Sequence, residues 1–247
     1  MSRPPPGVRP AHDSARLDAP PPPITPINEP PPEEHIMKYA VIGSGNVGTS
    51  IAAAATAAGH DVIVADVDQD ALDTLAAKVD GAITTTDTAA AARDADVVAL
   101  AVPFSITEEL VNSIANELAD TIVIDATNPL ADDLSGLVTD EGPAGAQRVQ
   151  AAAPAARVVK AFNTVFAGNQ ADPEVDGVQL DGYIAGDDDG AKEVVADLLE
   201  ATGYRTIDVG GLRHARYLEG MAYLNIARNA QRDLPWQSGW KLVGPAA

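Results

Sequence analysis

Beyond residue 36 the chain alternates between short, unbroken apolar runs and amphipathic stretches with a helical period. The runs at 39–42, 61–66, 96–101, 121–125 and 157–161, with a shorter one near 82–84, are the length of strands. Between them the period predicts helices over 47–58, 69–79, 87–93, 106–118 and 143–153. Strands separated by helices imply right-handed crossovers and a parallel sheet covered on both faces. A run such as Val97-Val98-Ala99-Leu100-Ala101-Val102, apolar at every position, fits a strand buried on both sides. The pattern then loosens, with strands predicted at 182–185 and 204–209 and helices at 190–202 and 215–230. The expectation is an α/β protein, a doubly wound parallel sheet over 37–165 with a small C-terminal α+β lobe over 166–247.

Residues 1–36 are of another composition, with Pro4-Pro5-Pro6, Pro20 to Pro23 and Pro30-Pro31-Pro32 set among small and charged residues. Such a stretch cannot bury a core and is expected to be disordered or polyproline-like. Met37 opens Met-Lys-Tyr-Ala-Val-Ile and reads as a natural start.

Charge narrows the possible partners. Sixteen basic residues against 36 acidic ones give a formal net charge of −20, a surface that repels nucleic-acid phosphates and anionic lipid. An acid-rich, lysine-poor surface suits concentrated salt, where screening removes self-repulsion, so a halophilic source is expected. With no cysteine there are no disulfides, thiolate metal sites or cysteine nucleophiles, and the four histidines show no metal-ligand spacing. No apolar run approaches the roughly 18 residues needed to span a bilayer, and a cytoplasmic protein is expected.

The most informative segment is Ala40-Val41-Ile42-Gly43-Ser44-Gly45-Asn46-Val47-Gly48, a buried strand, a glycine turn and a helix start. Gly43 permits the sharp turn, Gly45 leaves room for a pyrophosphate, and Gly48 allows close packing; the helix N-terminus then faces the phosphates. Ser44, Asn46 and Val47 complete this Rossmann turn. Asp66 closes the second strand about 20 residues on, where a carboxylate accepts from the adenosine ribose hydroxyls and repels a 2′-phosphate. NAD is therefore expected to be preferred to NADP. At the exit of the 96–101 strand, Val102, Pro103 and Phe104 either face the nicotinamide or form an ordinary turn, and Ser105 with Glu108 has the pattern of a capping box. At the next exit, Thr127 and Asn128 either bond a carboxamide or serve the turn at Asn128-Pro129.

In its combination of motifs the chain resembles the F420-dependent NADP reductases and their bacterial and archaeal dinucleotide-binding relatives. The likeness runs from about Met37 to about Ala230 and rests on Val41 to Gly48, Ala101-Val102-Pro103, Asp125 to Leu130, Val159 to Val165, Gly186-Asp187-Asp188 and Ala215 to Glu219. It implies a Rossmann domain for the nicotinamide nucleotide, with a deazaflavin (coenzyme F420) stacked on the nicotinamide under a small C-terminal lobe. Members that use NADP follow the second strand with a Ser/Thr-Arg pair, where this chain has Asp66-Val67, and archaeal members carry a histidine where it has Asn163.

Hydride exchange between two such cofactors demands little from side chains beyond holding the reacting carbons roughly 3–3.5 Å apart. An alcohol or hydroxy-acid dehydrogenase would need a proton carrier, for which Lys160, followed by Asn163, is the candidate. A third reading is a non-catalytic NAD(H)-sensing module with the proline-rich stretch as its docking element. No metal ligands are assigned. Tyr217, Met221, Leu224 and Arg228 share one face of the last helix, which is read as lobe core or a homodimer contact.

Overall fold

A computed structural model of the chain describes residues 36–139 and 141–244; the expectations for residues 1–35 lie outside the described residues. Six strands form the first part: β1 (Lys38–Ile42), β2 (Asp61–Ala65), β3 (Ile83–Thr85), β4 (Val97–Leu100), β5 (Ile122–Asp125) and β6 (Arg157–Lys160). The helices between them are α1 (Asn46–Ala57), α2 (Gln69–Ala76), α3 (Thr88–Arg93), α4 (Phe104–Ser113) and α5 (Gly145–Ala152). The remainder supplies β7 (Glu174–Val175), β8 (Val178–Gln179), β9 (Asp181–Gly186), α6 (Asp189–Ala201), β10 (Arg205–Asp208) and α7 (Ala215–Arg232).

One eight-stranded sheet has the order β10-β9-β6-β5-β4-β1-β2-β3. Every pairing in it is parallel except β6 with β9, where Val159 faces Gly186 and Lys160 faces Ala185. The order reverses between β1 and β4, which creates the crevice where ligands of open α/β sheets bind. The strands of the 166–247 segment thus continue the sheet past β6. The pleat sends Tyr39 and Val41 to one face, against Ile51, Leu72 and Leu75, and Ala40 and Ile42 to the other, against Leu100, Val111 and Leu118. Both faces of β4 and β5 are buried at every residue, as their unbroken apolar runs require.

Three local expectations are corrected. The capping box at Ser105 and Glu108 does not form: α4 begins two residues earlier than expected, at Phe104, with Pro103 (φ −55°, ψ 137°) as its N-cap and no side-chain cap. Proline has no amide hydrogen and its φ is fixed near the value found here, so the turn is set by Pro103. The helix also ends at Ser113, and 114–120 are turns. On α7, Tyr217 and Leu224 are 64% and 58% exposed and are not core. The buried face of that helix consists of Leu218, Glu219, Ala222, Asn225 and Asn229. The β7–β8 hairpin was not predicted; Asp176 and Gly177, both at positive φ, turn it.

The segment after α7 is tied back to the sheet through Asp181, which is fully buried at the start of β9. Its carboxylate accepts from Arg205 Nε and Nη2 at 2.8 and 2.7 Å and from the Leu242 amide at 2.6 Å, with Lys241 Nζ 3.0 Å away. Burial alone would raise its pKa, but the Arg205, Leu242 and Lys241 hydrogen bonds outweigh it and hold the group at about 2. A depressed carboxylate stabilises the fold above its unfolded pKa near 3.8, and that contribution is lost as pH falls through about 2. The contribution is about 2 kcal/mol at neutral pH. In urea titrations between pH 5 and 2, Asp181→Asn is expected to remove this part of the acid slope; an unchanged slope would refute the assignment.

Candidate functional site

The first crossover builds one wall of a cleft at the carboxyl edge of the sheet. Gly43 leaves β1 at φ +107°, and a Cβ there would stand 2.4 Å from the Ala101 carbonyl oxygen. Gly48, buried in the first turn of α1, faces back on the same loop, where a Cβ would meet the Gly43 carbonyl oxygen at 1.9 Å. Gly45 differs, since a Cβ there would have nothing within 4 Å. The space over Gly45 is therefore open, as a bound pyrophosphate requires.

Helix capping leaves α1 open at this spot, as it also leaves α4 and α7. In this acid-rich chain Asp68, Asp87 and Asp188 accept amide hydrogens at the starts of α2, α3 and α6. At α1 the N-cap is Gly45, no side chain caps the helix, and its first turn holds no acid. Its amide donors and the positive end of its dipole are left for an anion. Asn46 is exposed at the helix start and Val47 half-buried beside it.

Ser44 joins this loop to β2. Its amide and its hydroxyl both donate to Asp66 Oδ2 at 2.7 Å, and the Asp68 amide donates to Asp66 Oδ1 at 3.1 Å. Burial pushes the Asp66 pKa up, but the bonds from Ser44 and from the Asp68 and Val67 amides outweigh it and leave it below the ordinary value. Asp66 is thus a fixed negative charge at neutral pH. It borders a cleft of about 430 Å³ whose other walls are Gly43 to Gly45, Val67, Val102, Pro103 and Ile106. Among the described residues, no lysine or arginine lines this cleft. A larger shallow depression of about 610 Å³, lined by Arg93, Asp96 and Arg157 among others, lies at the opposite, amino edge of the strands and has no glycine-loop donors.

The exits of β4, β5 and β6 carry the remaining predicted residues. Phe104 is half-buried at the head of α4, and its ring packs at the start of α5, where a Cβ on Gly145 would meet it at 2.9 Å. Asn128 and Asn163 are brought together from β5 and β6: Asn163 Nδ2 donates to Asn128 Oδ1 at 3.0 Å, and Asn128 Nδ2 donates to the Asn163 carbonyl at 3.1 Å. Phe162, just before this pair, is held in the left-handed region at φ 62°, which re-aims the chain off β6.

Lys160 sits below them with no exposed surface. Its ammonium donates to Asp125 Oδ2 at 3.0 Å and to the Thr127 carbonyl, and lies 3.5 Å from Glu219 Oε1. Glu219 was not picked out as a site residue from the sequence. Its signal, an acid on the buried face of α7, was hidden by the apolar stripe on the opposite face. His60 stacks on Tyr39 at 4.9 Å and serves packing.

Fold and site together define a dinucleotide-binding protein of the Rossmann class. The family model for NADP oxidoreductase, coenzyme F420-dependent, matches residues 38–129. The F420-dependent NADP reductase of Methanothermobacter thermautotrophicus is 32% identical over 209 residues, covering 78% of this chain and 90% of the relative. That of Methanothermobacter marburgensis is 31% identical over 214 residues, covering 80% and 95%. Among solved structures, the provisionally named F420-dependent NADP reductase of Arthrobacter sp. FB24 superposes with a TM-score of 0.76 at 27% identity, over 84% of this chain and 100% of that one. The chain belongs to the family of F420-dependent NADP reductases and is an oxidoreductase. Among the described residues no helix is long and apolar enough to cross a membrane.

Proposed function

We propose that this enzyme exchanges hydride between a nicotinamide nucleotide and coenzyme F420, and that it takes NADH in preference to NADPH. The observation that supports this reading is the uncapped glycine turn with the ionised Asp66 beside it on the same cleft, where we assign the adenosine ribose. When bound, nicotinamide and deazaflavin supply the hydride chemistry. The chain's own residues would bind the pyrophosphate at the α1 N-terminus, hold the adenosine ribose at Asp66, and flank the nicotinamide end with Pro103, Phe104 and Asn128. The burial of Lys160 supports this reading over a hydroxyl dehydrogenase, because a proton carrier must reach its substrate. Segment 166–247 acts as the smaller lobe beside the nicotinamide end. The acid-rich surface suits a cytoplasm of high salt, and the exposed Tyr217 and Leu224 suit a homodimer contact.

Mixing the protein with F420 and either NADH or NADPH in concentrated potassium chloride, and following the deazaflavin's visible band, tests the proposal. Bleaching that is faster with NADH is expected; no bleaching with either nucleotide would overturn it. Asp66→Ser is expected to shift the ratio of kcat/KM values toward NADPH by at least about tenfold, or about 1.4 kcal/mol. Removing a fixed like charge from the position of a 2′-phosphate relieves a repulsion. An unchanged ratio would show that Asp66 does not read the ribose. Loss of circular dichroism in salt-free buffer is expected for a halophilic surface, and a full spectrum there would oppose it.

A further inference from the structure

Hydride transfer between cofactors uses no buried charge, yet Lys160, Asp125 and Glu219 all have side chains with no exposed surface and meet at one point beneath the site. Burying ions costs several kcal/mol each unless geometry and hydrogen bonds are complete, and apolar residues of the same volume commonly do as well for stability. The connections of this cluster are therefore informative. Asp125 Oδ1 accepts from the Thr127 amide at 3.0 Å and from the Thr127 hydroxyl at 2.7 Å, while Lys160 donates to the Thr127 carbonyl. Thr127 is thus gripped at its amide, carbonyl and side chain, and the next residue, Asn128, is paired to Asn163. Glu219 reaches in from α7. Its Oε2 accepts from the Gly145 amide at 3.1 Å and its Oε1 from the Ala146 amide at 3.2 Å, which fixes the start of α5 against Phe104.

We infer that Glu219, Lys160 and Asp125 form a positioning network that holds the exits of β4, β5 and β6 at the height the nicotinamide ring requires. None of the three touches a cofactor. They act through Phe104, Thr127 and Asn128, and the inference rests on the proposed assignment of those exits to the nicotinamide end. The adenosine half of the nucleotide is bound elsewhere, at Gly43 to Gly48 and Asp66. The network should therefore govern hydride transfer and leave nucleotide affinity largely untouched. A misplacement of about 1 Å at a reacting centre lowers the rate by on the order of 100-fold.

The test uses the full chain and two variants, Glu219→Gln and the double variant Lys160→Met/Asp125→Asn, the second preserving the net charge of the cluster and leaving Glu219 on α5. For each, thermal midpoint, NADH dissociation constant, emission of bound NADH and kcat with F420 are measured. Expected are a dissociation constant within about twofold of wild type, a kcat lower by on the order of 100-fold, and a shifted nicotinamide emission. Folded variants with wild-type kcat and emission would overturn the inference, as would a loss of kcat matched by an equal loss of NADH affinity. If the wild type itself transfers no hydride to F420, the functional proposal fails, and the emission of bound NADH decides the inference alone: shifted in the variants it stands, unshifted it falls.

Discussion

Gly48→Ala is expected to remove nucleotide binding and to lower stability together. The added methyl would lie 1.9 Å from the Gly43 carbonyl oxygen and 2.9 Å from its carbon, both backbone atoms that cannot rotate away. Either α1 moves off the loop or the loop moves off the sheet, and the second route is closed because Gly43 is itself wedged against Ala101. Overpacking of this kind costs about 1–3 kcal/mol. The functional loss should be larger, since the displaced amide donors at the start of α1 are those the proposed function assigns to the pyrophosphate; kcat/KM should fall by on the order of 100-fold. Gly45→Ala is the informative companion, because its methyl meets no protein atom within 4 Å. It should leave the thermal midpoint near that of wild type and still weaken NADH binding, by filling the space over the loop. Equal nucleotide affinity in wild type and Gly45→Ala would place the pyrophosphate elsewhere.

What the sequence revealed follows from where each signal is stored. The parallel strands β1, β4 and β5 are buried on both faces, so their unbroken apolar runs are local and legible. The glycine turn is equally local, since Gly43 and Gly48 answer backbone demands within a few residues or across one strand, while Gly45 leaves open space. The capping box misled because its two residues match the pattern while the preceding Pro103, already extended and without an amide, decides where α4 begins. On α7 Tyr217, Met221, Leu224 and Arg228 share one face by spacing, yet the helix buries a largely different one. Glu219, Asn225 and Asn229 lie inward because they have partners there: Glu219 the α5 amides, and the two asparagines each other and Ser238. A polar residue that is buried because of a distant partner leaves no hydrophobic period to detect. The antiparallel joining of β9 to β6 is non-local in the same way, as is the meeting of Asp125, Lys160 and Glu219. The β7–β8 hairpin is the exception, for Asp176-Gly177 between two valines is a short-range turn signal that was open to reading.

The same non-local cluster sets the second large effect. Lys160→Met is expected to destabilise the fold by about 3–5 kcal/mol, the cost of breaking a buried ion pair from one side. Methionine fills much of the volume of the lysine stem, so the cavity contribution is small. What remains is electrostatic: Asp125 and Glu219 would stay buried without the ammonium between them, and the Thr127 carbonyl would lose its donor. Glu219 keeps two amide donors at the start of α5 and Asp125 keeps Thr127, which limits the loss but does not cancel it. For a domain of this size each kcal/mol corresponds to roughly 2–4 °C, so the thermal midpoint should fall by about 10 °C. Adding Asp125→Asn removes one of the two stranded charges and should restore at least half of that fall, while Thr127 stays without its ammonium donor. Stability would then return and turnover would not, a separation that a purely structural ion pair does not produce. A midpoint for Lys160→Met within about 2 °C of wild type would correspond to less than about 1 kcal/mol and would refute the stabilising role of the ammonium.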